Sequence, residues 1–491
     1  MRRLRSVVAA LVLGIAASAS GAAQDVAGRV GPAAEARWAP PLVLPPLSAA
    51  VSPGVEAPSV PKQFHYVVVG AGDVVSKFYS PAFRDLKAKY AGKSDIAVTF
   101  IDASDFWKHD EKAAAKAQSI IAELKSWGAT VLDASDEQGR ADIAALRPDA
   151  TIVAVPDFLH VDKTMEWLNH PGAPRHIYVE KPLDRNRGKG NALLRRIGYD
   201  SDRVLVLDHY AARLLPTSRQ LADMASHLGG GIKSFAYYFL EDHSGDDPSY
   251  AASVERDGAI EREQRVRALD GGMVLDGLPH LFPLLKYFAD VERIHVTGVR
   301  AAQYTGVDGD PDKRTEIKAE TFAEVRLDLF RRPSISGPAV VAADGLIKGV
   351  AYVGKGVRGV KALGPEFDRN AKLLDVVGLN GNSIRFDLRS ISPDGRHARA
   401  YFRDAAGKEI SSFPLYAKPY AVLFERILLD VNDALRVYEA ERILEAIERI
   451  VDPIQIKGVL DTYEGGLKGK RASLYLEEIA AKVPYFFRHG N

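Results

Sequence analysis

Residues 65–72 read His-Tyr-Val-Val-Val-Gly-Ala-Gly, and this stretch decides how the fold begins. Its first five residues form a short run rich in β-branched side chains, which is typical of a buried parallel strand. Gly70 and Gly72 end the run, and residues 73–90 carry a helical pattern. Glycines at such a turn let the backbone approach a pyrophosphate, which then lies at the N-terminus of the helix. We therefore predict that Gly70, Gly72 and Asp73 bind a dinucleotide.

The glycine motif departs from its usual form at one position and is supported by the strand that follows. Val75 stands where a third small residue is usual. The second strand, 96–101, ends in Asp102, whose carboxylate can accept a hydrogen bond from a ribose 2′-OH and repels a 2′-phosphate. This favours NAD, whereas Ser104 and Lys108 would accommodate NADP, and Asp102 can also be interpreted as a helix cap. The predicted cofactor is therefore NAD or NADP.

Three later strands are each followed directly by residues that suit a binding site. The groups are Pro156 and His160 after the strand at 150–155, Glu180 and Lys181 after 176–179, and Asp208, His209 and Tyr210 after 203–207. In an open sheet with alternating strands and helices, ligands bind at the carboxyl ends of the parallel strands. Residues 63–213 are therefore predicted to form an α/β Rossmann domain, a doubly wound parallel sheet with its site at that edge.

The second half of the chain carries a different pattern. Residues 317–329 alternate between apolar and charged side chains, as in a strand with one buried and one wetter face. The Asn-Gly pair at 380–381 indicates a hairpin. Two amphipathic helices are predicted between 420 and 451, and Pro453 is expected to help end them. Residues 214–491 are therefore predicted to form an α+β domain with a large, mainly antiparallel open sheet.

The first 24 residues are predicted to be a signal peptide. Three arginines precede an apolar run at 7–17, and small residues follow. The chain is then expected to be exported to the periplasm or secreted. An organelle transit peptide remains the alternative, because the segment is rich in arginine and has no acidic residue before Asp25. Residues 25–62 are rich in proline and alanine, which indicates a linker or an extended arm.

Composition excludes several kinds of site and partner. The 491 residues include no cysteine, so disulfides, thiolate nucleophiles and zinc bound by cysteine are excluded. The formal net charge is only +1, so the chain has no strong overall electrostatic attraction to nucleic acid. The N-terminal apolar run is too short to span a bilayer, so no membrane span is predicted. No histidine and carboxylate group has the spacing of a metal site.

Motifs between residues 63 and 290 resemble those of the Gfo/Idh/MocA oxidoreductases. They are Gly70-Ala71-Gly72-Asp73, Val155-Pro156-Asp157-Phe158-Leu159-His160, Glu180-Lys181-Pro182-Leu183, and Gly271-Gly272 followed by Asp276 and His280. The resemblance implies that Pro156, His160, Glu180 and Lys181 bind the cofactor. It also implies a homodimer or homotetramer.

The chain is also similar to the glucose-6-phosphate dehydrogenases. Asp208-His209-Tyr210 matches their D-H-Y segment, and Gly354-Lys355 looks like part of their large domain. The resemblance implies that His209, Tyr210, Arg213 and Lys355 contact the substrate. Phe78 replaces a lysine that contacts substrate in that family, and Leu278-Pro279 replaces its Gln-Asn pair. These changes put glucose 6-phosphate in doubt as the substrate, although Arg213 can still serve a phosphate.

Oxidation of a hydroxyl by hydride transfer requires a base for the hydroxyl proton. We predict that His280 is this base, since an unperturbed imidazole has a pKa of about 6.5. Asp276, four residues earlier, is expected to orient the imidazole or to hold a substrate hydroxyl, and Asp208 is a second orienting carboxylate. Lys181 can stabilise the developing alkoxide.

The sequence therefore predicts an NAD(P)-dependent oxidoreductase acting on a CH–OH group of a sugar or sugar phosphate. An isomerising or dehydrating enzyme that uses its nicotinamide transiently is a narrower form of this hypothesis. The alternative is a non-catalytic relative that binds a nucleotide or sugar and senses or scaffolds. Export would require a tightly bound cofactor, because soluble NAD(P) is found in the cytosol.

Overall fold

The computed structural model describes most of the chain between residues 60 and 456. The described ranges are 60–72, 74–184, 186–199, 201–216, 218–241, 272–289, 291–302, 322–331, 346–355, 357–358, 370–389, 398–431, 434–456 and 474–475. All of them belong to one compact unit, Leu42–Asn491. The predicted signal peptide at 1–24, nearly all of the arm at 25–62 and the predicted site residue Asp73 lie outside them.

The first sheet has the strand order β16-β6-β5-β4-β1-β2-β3, in which β16 is the two-residue strand Leu435–Arg436. Its parallel strands are β1 Gln63–Val69, β2 Asp95–Asp102, β3 Thr130–Asp133, β4 Ala150–Val153, β5 His176–Glu180 and β6 Val204–Leu207. The order 3-2-1-4-5-6 is that of the doubly wound dinucleotide-binding fold. The predicted Rossmann sheet is therefore confirmed.

Helices cover both faces of this sheet. They are α1 Ser80–Lys89, α2 Glu111–Ser126, α3 Glu137–Ala145, α4 His160–Leu168 and α5 Arg187–Ile197. Tyr66 and Val68 of β1 belong to one buried cluster with residues of α1 and α2, and Val67 and Val69 belong to another with residues of α4 and α5. Because both faces of β1 are buried, its sequence is a continuous apolar run.

The second sheet has eight strands in the order β15-β14-β13-β12-β7-β10-β9-β8. They are β7 Ile232–Glu241, β8 Val291–Ala302, β9 Phe322–Arg331, β10 Leu346–Lys355, β12 Asn370–Gly378, β13 Ser383–Asp387, β14 Arg399–Arg403 and β15 Glu409–Pro414. All neighbouring pairs are antiparallel except β7 with β10. The two-residue strands β11 Val357–Arg358 and β17 Leu474–Tyr475 pair with each other outside this sheet. The predicted antiparallel sheet and the hairpin at 380–381 are therefore confirmed.

Strand β9 follows the predicted alternation with one exception. Ala323, Val325, Leu327 and Leu329 are buried, whereas Arg326 is exposed. Glu324, however, is also buried, and Arg326 Nε donates to its Oε1 at 2.9 Å. The predicted start at 317 lies outside the described residues.

Short helices lie between β6 and β8 along the chain, and later ones follow β15. The short helices are α6 His209–Leu214, α7 Ser218–His227, α8 Gly272–Gly277 and α9 Leu281–Leu285; the later ones are α10 Pro419–Leu428 and α11 Val437–Ile456. The prediction that Pro453 helps end the last helix is wrong, since α11 continues to Ile456. A proline removes only its own N–H donor from the helix, here in the last turn. In the described part of the chain, no helix is long and apolar enough to cross a membrane.

The chain returns to the first sheet after completing the second. The two-residue strand β16, Leu435–Arg436, pairs antiparallel with β6. Helix α10 packs on α1, where the Phe424 and Phe83 rings stack with centroids 4.1 Å apart. Tyr66 Oη also donates to the Phe424 carbonyl at 2.7 Å. The first sheet and its core therefore use residues beyond the predicted domain at 63–213, whose boundary stays a prediction.

Candidate active site

The glycine turn after β1 leaves open space at the carboxyl edge of the first sheet. Gly70 has φ +112°, and a Cβ there would lie 2.5 Å from the Ala154 carbonyl oxygen. Gly70 N–H donates to Ile101 O at 2.8 Å, which ties the turn to β2. A Cβ on Gly72 would meet nothing within 4 Å. Gly70 is therefore required by the fold, whereas the open space at Gly72 fits the close approach of a pyrophosphate.

Val75 begins a five-residue π-helical turn, Val75–Tyr79, which leads into α1. The Val75 side chain is fully buried, so the larger residue at the third motif position fits into the core. π-Helical turns are rare and occur frequently at functional sites. Here the turn carries Phe78 and Tyr79, two aromatic residues close to the candidate site.

Asp102 ends β2, as predicted. Trp107 Nε1 donates to Asp102 Oδ2 at 2.9 Å, which orients the half-buried carboxylate. Lys108 forms an ion pair with Asp105. The Asp102 carboxylate is therefore held in a fixed orientation, in which it can make the predicted contact with a ribose.

Asp208 and His280 form a buried pair. His280 Nδ1 lies 2.5 Å from Asp208 Oδ2, and both side chains are almost completely buried. The other carboxylate oxygen, Oδ1, accepts the Ala211 N–H at 2.8 Å and so caps α6. His280 ends the 3₁₀ turn Leu278–His280 between α8 and α9. Since Asp208 is fixed by the cap, it also fixes the orientation of the imidazole.

Aromatic rings surround the His280 imidazole. Phe239 stacks on it at a centroid distance of 5.5 Å, and Tyr210 and His209 approach edge-on at 4.6 and 5.1 Å. Burial lowers the His280 pKa below its usual value, although Asp208 acts in the opposite direction. Nε2 of His280 has no hydrogen-bond partner within the described ranges. The ring is therefore neutral at neutral pH, with Nε2 as its proton acceptor.

Lys181 and Asp276 form a second ion pair beside the first. Lys181 Nζ donates to Asp276 Oδ1 at 2.9 Å and to the Asp276 carbonyl at 3.1 Å. Burial acts to lower the Lys181 pKa, but Asp276, Glu180 and Asp208 together raise it above the usual value. Lys181 is therefore a charged ammonium, and the orienting contact to His280 is made by Asp208 rather than by Asp276.

Two predicted residues have other partners in the structure. His160 was expected to contact the cofactor, but it is buried, with Nδ1 2.6 Å from Pro182 O and Nε2 2.8 Å from Val155 O. Its polar atoms hold the loops after β4 and β5 together, so a direct polar contact to a cofactor does not fit this geometry. Arg213, expected to contact substrate, is buried and donates to the carbonyls of Tyr416 and Ala417 at 3.3 and 3.2 Å.

The remaining predicted residues have simpler placements. Pro156 is exposed three residues after the end of β4, where a ligand can reach it. Tyr210 is half-buried against His280. Lys355 is the last residue of β10, and its side chain lies outside the described residues.

The sequence analysis missed three residues close to the site. Tyr79 Oη donates to Glu180 Oε1 at 2.6 Å, and Tyr420 Oη lies 3.3 Å from His209 Nδ1. Lys372 is buried on β12, with Nζ 3.1 Å from the centroid of the Phe239 ring. None of these contacts has a local signal, because each joins segments far apart in the chain. The described residues contain no group of three or more His, Asp or Glu side chains that could hold a metal ion.

Comparisons with known proteins show the fold. No protein-family model matches the sequence, and no curated protein matches it significantly. Levoglucosan dehydrogenase in complex with NADH and levoglucosan has a similar structure, with a TM-score of 0.54 at 14% identity over 81% of this chain and 98% of that chain. Glucose-6-phosphate dehydrogenase with its substrate glucose 6-phosphate has a TM-score of 0.53 at 14% identity, covering 88% and 99%. An oxidoreductase from Sinorhizobium meliloti gives 0.50 at 12% identity, covering 82% and 98%. The expected fold, a doubly wound parallel sheet followed by a large, mainly antiparallel sheet, is therefore confirmed.

Proposed function

We propose that this chain is an NAD(P)-dependent oxidoreductase that transfers a hydride between a nicotinamide and a CH–OH group of a sugar. One observation carries the proposal: the His280–Asp208 and Lys181–Asp276 pairs lie together at the carboxyl edge of a doubly wound sheet that also carries the Gly70 turn. This is the edge at which such sheets bind ligands. The structural similarity to dehydrogenases solved with NADH and with sugars supports the same reaction class.

The His280–Asp208 and Lys181–Asp276 pairs have different roles in alcohol oxidation. The hydroxyl proton passes to Nε2 of neutral His280, and Asp208 stabilises the imidazolium that forms. The Lys181 ammonium stabilises the negative charge that develops on the substrate oxygen as the proton leaves. A bound nicotinamide supplies the acceptor for the hydride from the same carbon. Proton and hydride therefore leave the substrate to separate acceptors, which balances a two-electron oxidation to a carbonyl.

The turn and the end of β2 support NAD rather than NADP. Gly70 and Gly72 would hold the pyrophosphate, and Asp102 would accept a hydrogen bond from the ribose 2′-OH. Trp107 orders this carboxylate, and Lys108 is already paired with Asp105. A 2′-phosphate would be placed against an acidic side chain, which disfavours it electrostatically.

We also propose that the protein is exported and retains its nicotinamide through the catalytic cycle. The signal-like segment at 1–24 supports export. Because no soluble NAD(P) pool is expected outside the cytosol, one bound nicotinamide would be reduced by one substrate and reoxidised by a second.

The test is made on the full chain, purified without added nucleotide. We expect native mass spectrometry to show about one nicotinamide dinucleotide per subunit, and an aldose panel to give substrate-dependent reduction at about 340 nm. The His280→Gln variant is expected to keep the nucleotide and to lose turnover by about 10²–10⁴-fold. Absence of both bound nucleotide and affinity for added NAD or NADP would disprove the proposal. Bound nucleotide without turnover of any sugar would instead support the non-catalytic alternative.

A further inference from the structure

One short stretch of chain, residues 272–280 and called here the site segment, carries both Asp276 and His280. It begins as helix α8, which ends at Gly277, and continues as a 3₁₀ turn. The Leu281 N–H donates to a carbonyl three residues back, whereas a continuous α-helix would direct it to Gly277 O. The change from α-helix to 3₁₀ turn therefore opens the Gly277 carbonyl to a donor from another element.

A tyrosine of the second sheet supplies this donor. Tyr237 lies on β7 and is almost completely buried, and its Oη donates to Gly277 O at 3.0 Å. A carbonyl oxygen can only accept a hydrogen bond, so the direction of this bond is fixed. Burial raises the Tyr237 pKa well above its usual value, which keeps the hydroxyl protonated. The link from the sheet to the site segment is therefore present at every pH near neutrality.

The site segment also approaches the second sheet closely at Gly277. A Cβ built there would lie 3.0 Å from Phe239 Cδ1 and 3.1 Å from Val353 Cγ1. The backbone of Gly277 has φ −94° and ψ −35°, a right-handed helical conformation that alanine adopts without strain. Phe239 extends the contact by stacking on the His280 ring. Glycine is therefore required at this position by the close approach to the sheet and not by the backbone conformation.

Two ion pairs of the site depend on where this backbone lies. Asp276 directly precedes Gly277 and accepts from Lys181 Nζ at 2.9 Å. His280 follows three residues after Gly277, and its Nδ1 lies 2.5 Å from Asp208 Oδ2. A shift of the Gly277 carbonyl would therefore move the partner of the ammonium and the proton acceptor together.

We propose that Tyr237 is a positioning residue, which holds the Gly277 carbonyl and thereby orients both Asp276 and the His280 imidazole. This inference rests on the proposed function, because it adds a positioning residue to the same site. It gives the second sheet a direct part in arranging groups that pair with residues at the edge of the first sheet. It also separates Asp276 from His280, since the break at Gly277 lets each of them face its own partner.

The first measurement reads the position of His280 and does not depend on activity. The full-length protein is labelled with ¹⁵N-histidine, and the His280 signals are assigned by their loss in His280→Gln. In the wild type, the Nδ1–H proton is expected at low field, because it lies in a short hydrogen bond to the Asp208 carboxylate. In Tyr237→Phe, we expect this signal to move upfield and to broaden, since the imidazole is no longer held at that distance.

The matched control is Tyr238→Phe. Tyr238 is the next residue of β7 and is also buried, but its ring stacks on Tyr352, on the opposite face of the sheet from Tyr237. Loss of its hydroxyl should leave the low-field signal unchanged. A Tyr237→Phe spectrum identical to that of the wild type would overturn the proposal. An equal change in Tyr238→Phe would also overturn it, because the effect would then belong to the sheet in general.

The second measurement separates positioning from folding by comparing kcat, KM and thermal melting. We expect Tyr237→Phe to lower kcat for the best aldose about tenfold, because one hydrogen bond to the site segment is lost. KM and NADH affinity should stay close to the wild-type values. Gly277→Ala should lower kcat as well, since its Cβ would push the segment away from Phe239. Tyr238→Phe should retain the wild-type kcat.

Wild-type kcat in Tyr237→Phe or in Gly277→Ala contradicts the inference, even if the variant melts at a lower temperature, because the contact would then serve stability alone. If the protein binds no NADH and oxidises no sugar, the proposed function fails. The low-field signal of His280 alone then supports or overturns the positioning by Tyr237.

Discussion

Asp208 makes two contacts through its two carboxylate oxygens. One oxygen caps α6 through the Ala211 N–H, and the other holds Nδ1 of His280. An N-cap has a fixed side-chain geometry, so the position of the imidazole depends on where a helix begins. Asparagine at 208 would keep Oδ1 as the acceptor of the cap, so its NH₂ group would point its donors at Nδ1 of His280. A single substitution at position 208 can therefore keep the cap of α6 and remove the contact that orients the His280 imidazole.

This geometry predicts both a pH profile and the effect of Asp208→Asn. Because burial lowers the His280 pKa, the base is already neutral at neutral pH, and activity is lost as the pH falls through that pKa. For sugar oxidation, kcat/KM should therefore rise with pH and level off below the usual histidine value of about 6.5. Asp208→Asn should lower kcat/KM by about 10²–10⁴-fold, since the required tautomer is no longer imposed.

The measurement is kcat/KM for the best aldose between about pH 5 and 9, with NADH affinity as the control. The affinity of Asp208→Asn for NADH should stay close to that of the wild type. A profile with its midpoint above the usual histidine range, or an Asp208→Asn variant with wild-type activity, would argue against His280 as the base.

At the scale of single residues, the sequence identified the charged groups but not all of their partners. The motifs pointed to Lys181, Asp208, Asp276 and His280, and the structure brings these four together. Motif spacing does not determine which carboxylate faces which base. Tyr420 was missed because its contacts depend on how a distant helix packs, for which a sequence window contains no signal.

Among the elements, the turn after β1 combines two glycines with opposite requirements. Gly70 has a positive φ and a close backbone neighbour, whereas Gly72 faces open space. The same substitution at the two positions therefore separates a requirement of the fold from a requirement of the ligand.

We expect Gly70→Ala to lower the free energy of unfolding by about 1–3 kcal/mol, because alanine is strained at φ +112° and its Cβ would lie 2.5 Å from Ala154 O. Gly72→Ala should melt like the wild type but bind NADH more weakly, since the added methyl would occupy the space proposed for the pyrophosphate. Thermal melting and NADH titration of both variants provide the check. Equal NADH affinity in Gly72→Ala and the wild type would show that the cofactor does not approach this turn.

Strands and helices with a clear hydrophobic period were predicted well, whereas elements that depend on packing between segments far apart in the chain were not. The apolar run of β1 and the alternation in β9 reflect burial on two faces and on one. The strand β16 has only two residues, too few for any period, and it exists because β6 offers it an open edge. The buried Glu324 broke the alternation because Arg326 supplies its partner.

At the scale of the whole molecule, two predictions from the sequence await measurement. The resemblance to the two oxidoreductase families implies a homodimer or homotetramer, and the signal-like segment implies a shortened mature chain. For the protein produced in an exporting bacterial host, we expect native mass spectrometry to give two or four subunits. Each should be lighter than the full 53.5 kDa by the mass of residues 1–24.

Replacing the three arginines of the first five residues by glutamine is the matched control, because it removes the basic start but keeps the apolar run. This variant should retain the full mass and stay in the cytoplasm. An unprocessed wild-type chain in the exporting host would contradict the export proposal, and a monomer would contradict the assembly implied by resemblance.

Helix α10 and strand β16 complete the core beside Tyr66 and Phe83, although both come from the last fifth of the chain. On the ribosome, the part of the chain that carries the first sheet is thus synthesised first, but its core is completed last. Until Phe424 emerges, the nascent chain exposes the part of the core beside Tyr66 and Phe83 that α10 later covers, a surface that chaperones recognise. Such a delay would postpone the proposed nucleotide binding until synthesis of the chain is nearly complete.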